Sequence, residues 1–104
     1  MGQTVRARID LAGFYAYIGE RSLESARRFR KAANETFVAL ARSPGIGEPY
    51  EIANPRFEGL RCARVRRFRS CLSFYRPIEG GIEVIRILHA ARNIGEILET
   101  DEGD

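Results

Sequence analysis

The sequence predicts an α+β fold in which an N-terminal antiparallel helical hairpin packs on a three- to four-stranded antiparallel sheet. Up to Pro44, apolar residues recur at helical spacing. From residue 60 to residue 89, β-branched and aromatic runs are separated by turn residues, as in consecutive hairpins. Helices followed by strands indicate the α+β class. At 104 residues the chain has room for one hydrophobic core.

The helical part is predicted to contain two helices. Thr4 is a suitable N-cap for a first helix that runs to about Gly19, and Ser22 is a suitable N-cap for a second helix that ends before Pro44. The short link between them predicts an antiparallel hairpin. The buried stripes comprise Ala7, Leu11, Phe14 and Ile18 in the first helix and Ala26, Phe29, Ala33, Phe37 and Leu40 in the second.

Three strands are predicted at residues 60–66, 71–76 and 82–89, after an ordered loop at residues 45–58. Strict alternation would place Ile85 and Ile87 on the face opposite Val84 and Leu88. Because both faces are apolar, we expect the helices to cover one face and a partner polypeptide to cover the other. Residues 90–98 are predicted to form a short helix or an extended segment.

The charge of the chain is unevenly distributed. The net charge is +3, but four of the last six residues are acidic, which leaves residues 1–98 with 17 basic and 10 acidic side chains, a net charge of +7. We expect residues 1–98 to form one domain and residues 99–104 to be a disordered acidic tail. Lys31 is the only lysine, and arginine is suited to carboxylate and phosphate partners alike. The basic cluster on the second helix (Arg27, Arg28, Arg30, Lys31) is interpreted as a solvated face.

Several function classes receive no support from the composition. No apolar run approaches the roughly 18 residues of a membrane span, and no signal peptide is visible, so a cytoplasmic location without a membrane partner is the default expectation. Cys62 and Cys71 are interpreted as small apolar residues of a reducing compartment, with a disulfide restricted to an oxidising one. Two thiols and the single His89 do not make a usual ligand set, so neither a metal nor a cofactor is expected.

Short motifs in a fixed order resemble a known family. The resemblance rests on Thr4-x-x-Ala7-x-x-Asp10-Leu11, Ala26-x-x-Phe29, Ala41-x-x-Pro44-x-x-Gly47, Gly59-Leu60-Arg61, Phe74-Tyr75-Arg76 and Ile85-Arg86-Ile87-Leu88-His89-x-x-Arg92. Together these resemble the ParE/RelE superfamily of toxins from type II toxin–antitoxin systems, on the ParE side. The chain departs from the family pattern in two places: only residues 1–3 precede the first helix where the family has a strand, and Arg92-Asn93 replaces the usual Arg-Asp pair.

The resemblance implies a small bacterial toxin that a cognate antitoxin neutralises. The antitoxin would be ParD-like, with a ribbon-helix-helix part that binds DNA, so that the toxin would reach DNA only indirectly. Its C-terminal segment would lay apolar side chains along the helical hairpin and the sheet. The residues expected to bind this segment are Leu11, Tyr15, Ile18, Phe29, Phe37, Ile85 and Ile87.

The resemblance leaves the toxic target open between two classes. ParE-like members poison DNA gyrase, whereas RelE-like members cut mRNA in the ribosomal A site. For the gyrase hypothesis no catalytic residue is expected, and the target-binding candidates are Arg61, Arg69, Arg86, His89, Arg92 and Asn93. For RNA cleavage, the groups available for proton transfer and charge stabilisation are Arg61, Arg67, Arg69, Tyr75, His89 and Arg92.

The gyrase hypothesis is favoured for two reasons. The RelE type relies on a lysine-rich site with a late tyrosine, while this chain has one lysine and no tyrosine after Tyr75. His89 ends an apolar strand, where a structural role is expected, either hydrogen bonding or packing against the first helix. An endoribonuclease and a non-toxic binding module of the same fold remain the alternatives.

Overall fold

Two antiparallel helices pack on one face of a five-stranded sheet in the computed structural model, which describes residues 2–101. The elements in chain order are β1 (Gly2–Gln3), α1 (Val5–Arg21), α2 (Leu23–Arg42), β2 (Glu48–Pro49), β3 (Arg61–Val65), β4 (Phe68–Ile78), β5 (Gly81–His89) and α3 (Ile94–Glu99), with single 3₁₀ turns at Pro44–Ile46 and Pro55–Phe57. The predicted α+β class and helical hairpin are confirmed. The sheet has more strands than the three to four predicted.

The helix boundaries follow from capping. The Thr4 hydroxyl accepts a hydrogen bond from the N–H of Ala7 at 3.0 Å and opens α1. Ser22 closes α1 by donating its N–H to the carbonyl of Ile18, and it opens α2 by accepting from the N–H of Ser25. A single residue therefore serves both helices, which is why they turn back on each other without a loop.

The strand order is β1-β5-β4-β3-β2, and every pairing is antiparallel except that of β1 with β5. The family's opening strand, for which the sequence leaves little room, is present as two residues that align Gly2 with Glu83 and Gln3 with Val84. Beyond them, the side chains of Thr4, the N-cap of α1, and of Asp10 in α1 form hydrogen bonds with the outer edge of β5. The Thr4 hydroxyl donates to the carbonyl of Ile85, and the Asp10 carboxylate accepts from the N–H of Ile87.

An irregularity in the β4–β5 pairing changes which side chains face the helices. Tyr75 pairs with Val84 and Phe74 pairs with Arg86, which leaves Ile85 as an extra residue, a β-bulge. Val84 and Ile87 consequently join the core beneath the helices, whereas Ile85 and Leu88 face the other side. The predicted grouping of Ile85 with Ile87 was wrong, because strict alternation does not pass through a bulge.

The second face of the sheet is covered by the chain itself. Phe74, Ile85 and Leu88 of this face pack with Phe57 and Leu60 from the loop before β3, and with Leu98 of α3. The Asn54 side chain links the loop to the α3 segment by donating hydrogen bonds to the carbonyls of Leu98 at 3.1 Å and Asp101 at 3.0 Å. The expectation that a partner polypeptide covers this face was therefore wrong, and residues 90–98 supply a helix rather than an extended segment.

The first residues of the acidic segment 99–104 belong to the folded domain. Glu99 is the last residue of α3, and the Asp101 carboxylate, 7% exposed, lies 3.4 Å from the Arg86 guanidinium. The expected fraying of residues 99–104 does not hold for the first three of them, because the carboxylate of Asp101 meets a buried cation. Residues 102–104 lie outside the described residues.

Gly47 is required by a close approach of the backbone to Tyr75. The N–H of Gly47 donates to the Tyr75 hydroxyl at 2.9 Å, and a β-carbon at this position would lie 2.9 Å from the carbonyl oxygen of Cys62 and would also collide with the phenol. We expect Gly47→Ala to lower the free energy of unfolding by about 1–3 kcal/mol through overpacking. Gly45→Ala is the matched control, since its β-carbon would meet nothing within 4 Å. Urea denaturation measures both; equal stabilities of the two variants would refute the close approach.

Candidate protein-binding site

The first candidate surface is a groove between α1 and α2, here called the helical groove. It is a depression of about 310 Å³ lined by Gln3, Arg8, Leu11, Ala12, Tyr15, Phe29 and Arg30. The Arg30 guanidinium lies 5.9 Å from the centre of the Tyr15 ring, within the range of a cation–π contact. An apolar floor with arginines at the rim suits an amphipathic segment that carries acidic side chains.

The predicted antitoxin-binding residues divide between this groove and the core. Leu11 and Tyr15 line the groove, and Phe29 forms its floor although its own side chain is fully buried. Ile18 is half-buried and packs against the core outside the groove lining. The remaining three, Phe37, Ile85 and Ile87, are buried within the two core clusters, so direct contact with a partner does not fit them.

The second candidate surface, here called the edge cleft, lies between α1 and the end of β5. It has a volume of about 380 Å³ and is lined by Ile9, Asp10, Gly13, Phe14, Tyr17, Ile87, Leu88, His89 and Arg92. Ile9 and Tyr17 are 60% and 62% exposed, and both line this one cleft. Exposed apolar residues beside His89 and Arg92 give this cleft the mixed character of a protein-binding surface.

Arg86, predicted to bind the target, lies beneath the surface. Its guanidinium holds Asp10 through two hydrogen bonds, Nε to Oδ2 at 2.7 Å and Nη2 to Oδ1 at 3.2 Å, and it also meets Asp101. The hydrogen bond to Asp10 raises the pKa of Arg86 above its usual value. With 6% of its surface exposed, Arg86 ties β5 to α1 and to the chain end, which corrects its assignment as a contact residue.

His89, Arg92 and Asn93 are exposed together where β5 ends. The Nδ1 atom of His89 accepts a hydrogen bond from the N–H of Ala91 at 3.0 Å, which leaves Nε2 to carry the hydrogen of the neutral ring. Asn93 caps α3, since its side-chain oxygen accepts from the N–H of Glu96 and its amide donates to the Glu96 carboxylate at 2.9 Å. The asparagine amide can donate this hydrogen bond to Glu96, whereas the aspartate of the family's Arg-Asp pair could not.

Comparison with known proteins identifies the family. The family model described as "ParE toxin of type II toxin-antitoxin system, parDE" matches residues 3–94, nearly the whole chain. The chain belongs to the ParE toxin family. It resembles, with a TM-score of 0.66 and 23% sequence identity, a chain in a solved structure titled "Chromosomal ParDE TA system from P. aeruginosa"; the alignment covers 85% of this chain and 91% of that one. This second likeness supports the fold. Curated proteins give no significant match.

The candidate RNA-cleaving residues of this ParE-family chain do not converge. Tyr75 is fully buried and donates its hydroxyl to the carbonyl of Pro44 at 2.7 Å. Arg61 donates to the carbonyl of Gly47 at 2.9 Å, and the strand register places its Cα about 16 Å from that of His89. Arg69 is exposed near the start of β4, where its carbonyl accepts from the Arg64 guanidinium. Of this set, His89 and Arg92 line one cleft, and Arg69 lies near them across the β4–β5 pairing.

Sequence reasoning missed several residues of these surfaces. Arg30 of the helical groove was interpreted as part of a solvated face, and Arg8 of the same groove and Ile9 and Tyr17 of the edge cleft were given no role. Asp10 stood in the opening ParE motif, but its partner Arg86 is 76 residues away in sequence. A helical wheel of α1 would have found Ile9 and Tyr17, because both fall outside the buried stripe.

The two cysteines lie on opposite faces of the sheet. Cys71 belongs to the core beneath the helices, whereas Cys62 packs against the cluster under α3. Burial raises the pKa of Cys62 to about 11 and that of Cys71 to about 12, so both thiols stay protonated at neutral pH. Their placement agrees with their interpretation as small apolar residues, and it does not allow a disulfide between them.

Neither a metal site nor a membrane-spanning helix is found within residues 2–101. No group of three or more His, Cys, Asp or Glu side chains is arranged there to hold a metal ion. No helix in that range is both long and apolar enough to cross a membrane.

Proposed function

We propose that this ParE-family chain is the toxin of a bacterial type II toxin–antitoxin pair that acts in the cytoplasm by inhibiting DNA gyrase. A cognate ParD-like antitoxin, with a ribbon-helix-helix part that binds DNA, would neutralise it by occupying the helical groove. The observation that carries the antitoxin part is the open groove itself, with Leu11, Ala12 and Tyr15 on its walls and Arg8 and Arg30 on its rim.

The groove fits a segment of specific chemistry. An amphipathic helix or strand from the antitoxin would place apolar side chains against Leu11, Ala12 and Tyr15, which line the groove and are not buried. Its acidic side chains would meet the guanidinium groups of Arg8 and Arg30, which are suited to bidentate contact with carboxylates. Burial of the apolar side chains would supply most of the affinity, and the charges would set its orientation.

The edge cleft is the proposed contact with gyrase. Ile9 and Tyr17 offer apolar area, and His89 and Arg92 offer hydrogen-bond donors beside it. This mixture is typical of an inhibitory protein contact and does not require catalysis. Arg69 extends the proposed contact, because the β4–β5 register brings the start of β4 next to the end of β5, where Ala90 donates to the carbonyl of Ser70.

An inhibitory contact fits the geometry better than RNA cleavage does. Cleavage requires a base, a stabiliser of the phosphorane charge and an acid around one scissile bond. Tyr75 and Arg61 are committed to backbone carbonyls, and Arg67 lines a different cleft. His89, Arg92 and the neighbouring Arg69 supply one group for proton transfer and two cations, so a second group for proton transfer is not found among these candidates.

The double variant Arg69→Ala, Arg92→Ala is expected to relieve growth arrest on induction while its affinity for the antitoxin stays within about twofold of wild type, because both residues lie outside the helical groove. Growth curves after induction and titration of purified antitoxin measure the two properties. The matched control is Arg42→Ala, Arg56→Ala, which removes the same charge from exposed positions of other elements. Full toxicity of the Arg69, Arg92 variant would refute the proposed contact surface.

Induction of the wild-type protein in cells also distinguishes gyrase inhibition from ribosome-dependent mRNA cleavage. Gyrase inhibition predicts an SOS response and trapped DNA breaks, with intact mRNA. Ribosome-dependent cleavage predicts mRNA ends visible by primer extension, and a non-toxic binding module predicts no growth phenotype. Cut mRNA without DNA breaks would overturn the proposal.

A further inference from the structure

A cleft of about 790 Å³ lies between the N-terminal half of α2 and the turn that joins β3 to β4. Its lining, here called the basic cleft, comprises Ser25, Arg28, Lys31, Ala32, Glu35, Arg66, Arg67 and Phe68. Four of these side chains are cationic and one is anionic. Within residues 2–101, only Arg28 of the four cations has a salt-bridge partner, the exposed Glu24. The cleft therefore presents unneutralised positive charge.

The turn at the cleft carries an unexpected residue. Val65 pairs with Phe68, so Arg66 and Arg67 form a two-residue turn, and Arg67 has a φ of +66°. Glycine or asparagine adopts this left-handed conformation with little strain, whereas arginine adopts it at a cost in free energy. The tight turn itself accounts for the positive φ at its third residue, and the choice of arginine places a cation there. At this position the side chain of Arg67 is exposed at the mouth of the cleft.

The two walls of the cleft are held in a fixed relation. The hydroxyl of the buried Thr36 on α2 accepts a hydrogen bond from the N–H of Arg66 at 3.1 Å and donates to the carbonyl of Ala32 at 2.8 Å. Phe68, just after the turn, packs edge-on against Phe29 of α2, with ring centres 5.1 Å apart. The cationic side chains thus project from a preorganised frame, which lowers the entropic cost of binding.

The positive charge continues along α2. Lys31 also lines a neighbouring depression together with Arg27 and Arg30, and Arg30 in turn lines the helical groove. The cations of α2 therefore form a band around one turn of the helix, from the basic cleft to the groove, with Glu35 as the one acidic side chain beside it. Such a band can contact successive phosphates of a nucleic acid strand.

We propose that the basic cleft and the adjoining face of α2 bind the phosphodiester backbone of a nucleic acid duplex. The lining is much more polar than that of the helical groove, which favours a phosphate backbone over an amphipathic acidic peptide. The basic cleft itself lies outside the helical groove and the edge cleft, and the adjoining face of α2 reaches the helical groove only at Arg30. The proposed contact replaces the interpretation of the α2 cluster as a solvated face, and it adds a direct contact with DNA to the indirect one through the antitoxin.

The test measures binding of the purified full chain to a labelled duplex DNA of random sequence, by fluorescence anisotropy, between about 50 and 200 mM salt. The logarithm of the binding constant is expected to fall linearly with the logarithm of salt concentration. The variant Lys31→Gln, Arg67→Gln removes one cation from each wall. It should reduce the magnitude of that slope by about 1.8, at about 0.9 for each phosphate that the variant no longer neutralises.

The control variant Arg42→Gln, Arg56→Gln has the same net charge and should leave the slope within about 0.5 of wild type, because neither residue lines the cleft. Arg67→Gly guards against misfolding: glycine adopts positive φ without strain, so this variant should fold normally and still lower the slope by about 0.9. Circular dichroism confirms the fold of each variant.

Duplex RNA and poly-glutamate serve as further ligands. Binding of the RNA duplex with the same reduction in slope for the Lys31, Arg67 variant would support recognition of the backbone. Three results would overturn the proposal: no binding of either duplex at about 50 mM salt, an equal reduction in the control variant, or binding of poly-glutamate alone. The last would make the cleft a surface for an acidic protein. Because gyrase is absent from the assay, its outcome is independent of the proposed toxic target.

Discussion

Asp10→Ala is expected to lower the free energy of unfolding by about 3–5 kcal/mol, because it leaves a buried cation without its main partner. Asp10 accepts two hydrogen bonds from the Arg86 guanidinium and a third from the N–H of Ile87. After the substitution, the Arg86 side chain, 7% exposed, would keep only the Asp101 carboxylate at 3.4 Å. The outer edge of β5 would also lose the acceptor that replaces a neighbouring strand.

Urea denaturation followed by circular dichroism measures this decrease in stability. Glu24→Ala is the matched control, since it removes the carboxylate of an ion pair on the same helical hairpin, with Glu24 and Arg28 both well exposed. We expect the control to lose less than about 1 kcal/mol, the usual range for an exposed pair in the first turn of a helix. An Asp10→Ala variant as stable as the control would refute the structural role assigned to the Asp10–Arg86 pair.

Ala12→Glu is expected to weaken antitoxin binding by about 100-fold, equivalent to about 2.7 kcal/mol. Ala12 is exposed and lines the helical groove. A glutamate there would occupy the space that an apolar side chain of the antitoxin would fill, and its charge would repel the acidic side chains of the antitoxin segment. Since the residue lies on the surface of α1, we expect the fold and the toxicity to persist, so that the antitoxin no longer rescues growth.

Ala16→Glu is the control for this prediction. It makes the same substitution at an exposed position one helical turn further along α1, outside the groove lining. Its affinity for the antitoxin encoded by an adjacent reading frame should stay within about threefold of wild type in isothermal titration calorimetry. Equal affinities of the Ala12 and Ala16 variants would place the antitoxin elsewhere on the molecule.

The elements that the sequence predicts well are those specified locally. Thr4 and Ser22 cap the two helices with their own side chains, so the helical hairpin can be predicted from residues close in sequence. The central strands were predicted within a few residues because the β-branched and aromatic runs that form them are continuous. Most of the residues in the motifs that carried the ParE resemblance lie in these same elements.

The features that the sequence does not specify depend on long-range contacts. The bulge at Phe74–Tyr75 reverses the faces of Ile85 and Ile87 relative to simple alternation, and no local pattern marks it. The cover over the second face combines α3 with a loop more than 30 residues earlier, through the Asn54 side chain. Candidate binding residues chosen for apolar character alone were therefore assigned to the surface when they fill the core.

The environments of the individual arginines also could not be predicted from the sequence. Sequence reasoning treats Arg61, Arg86 and Arg92 as equivalent cations, yet Arg61 binds backbone carbonyls, Arg86 is buried against Asp10, and Arg92 alone is exposed in the edge cleft. Their environments are set by the strand register and by the bulge, which form only in the folded chain. Charge composition predicts that the protein has an anionic or polar partner, but not which arginines meet it.

The most direct test of the proposed function is a cleavage assay with purified gyrase, supercoiled DNA and this protein, resolved on an agarose gel after denaturation of the enzyme. We predict that linear DNA accumulates, that the Arg69→Ala, Arg92→Ala variant produces much less of it, and that the Arg42→Ala, Arg56→Ala control produces as much as wild type. Unchanged supercoiling with no linear DNA, at protein concentrations that exceed those of gyrase, would contradict the proposal.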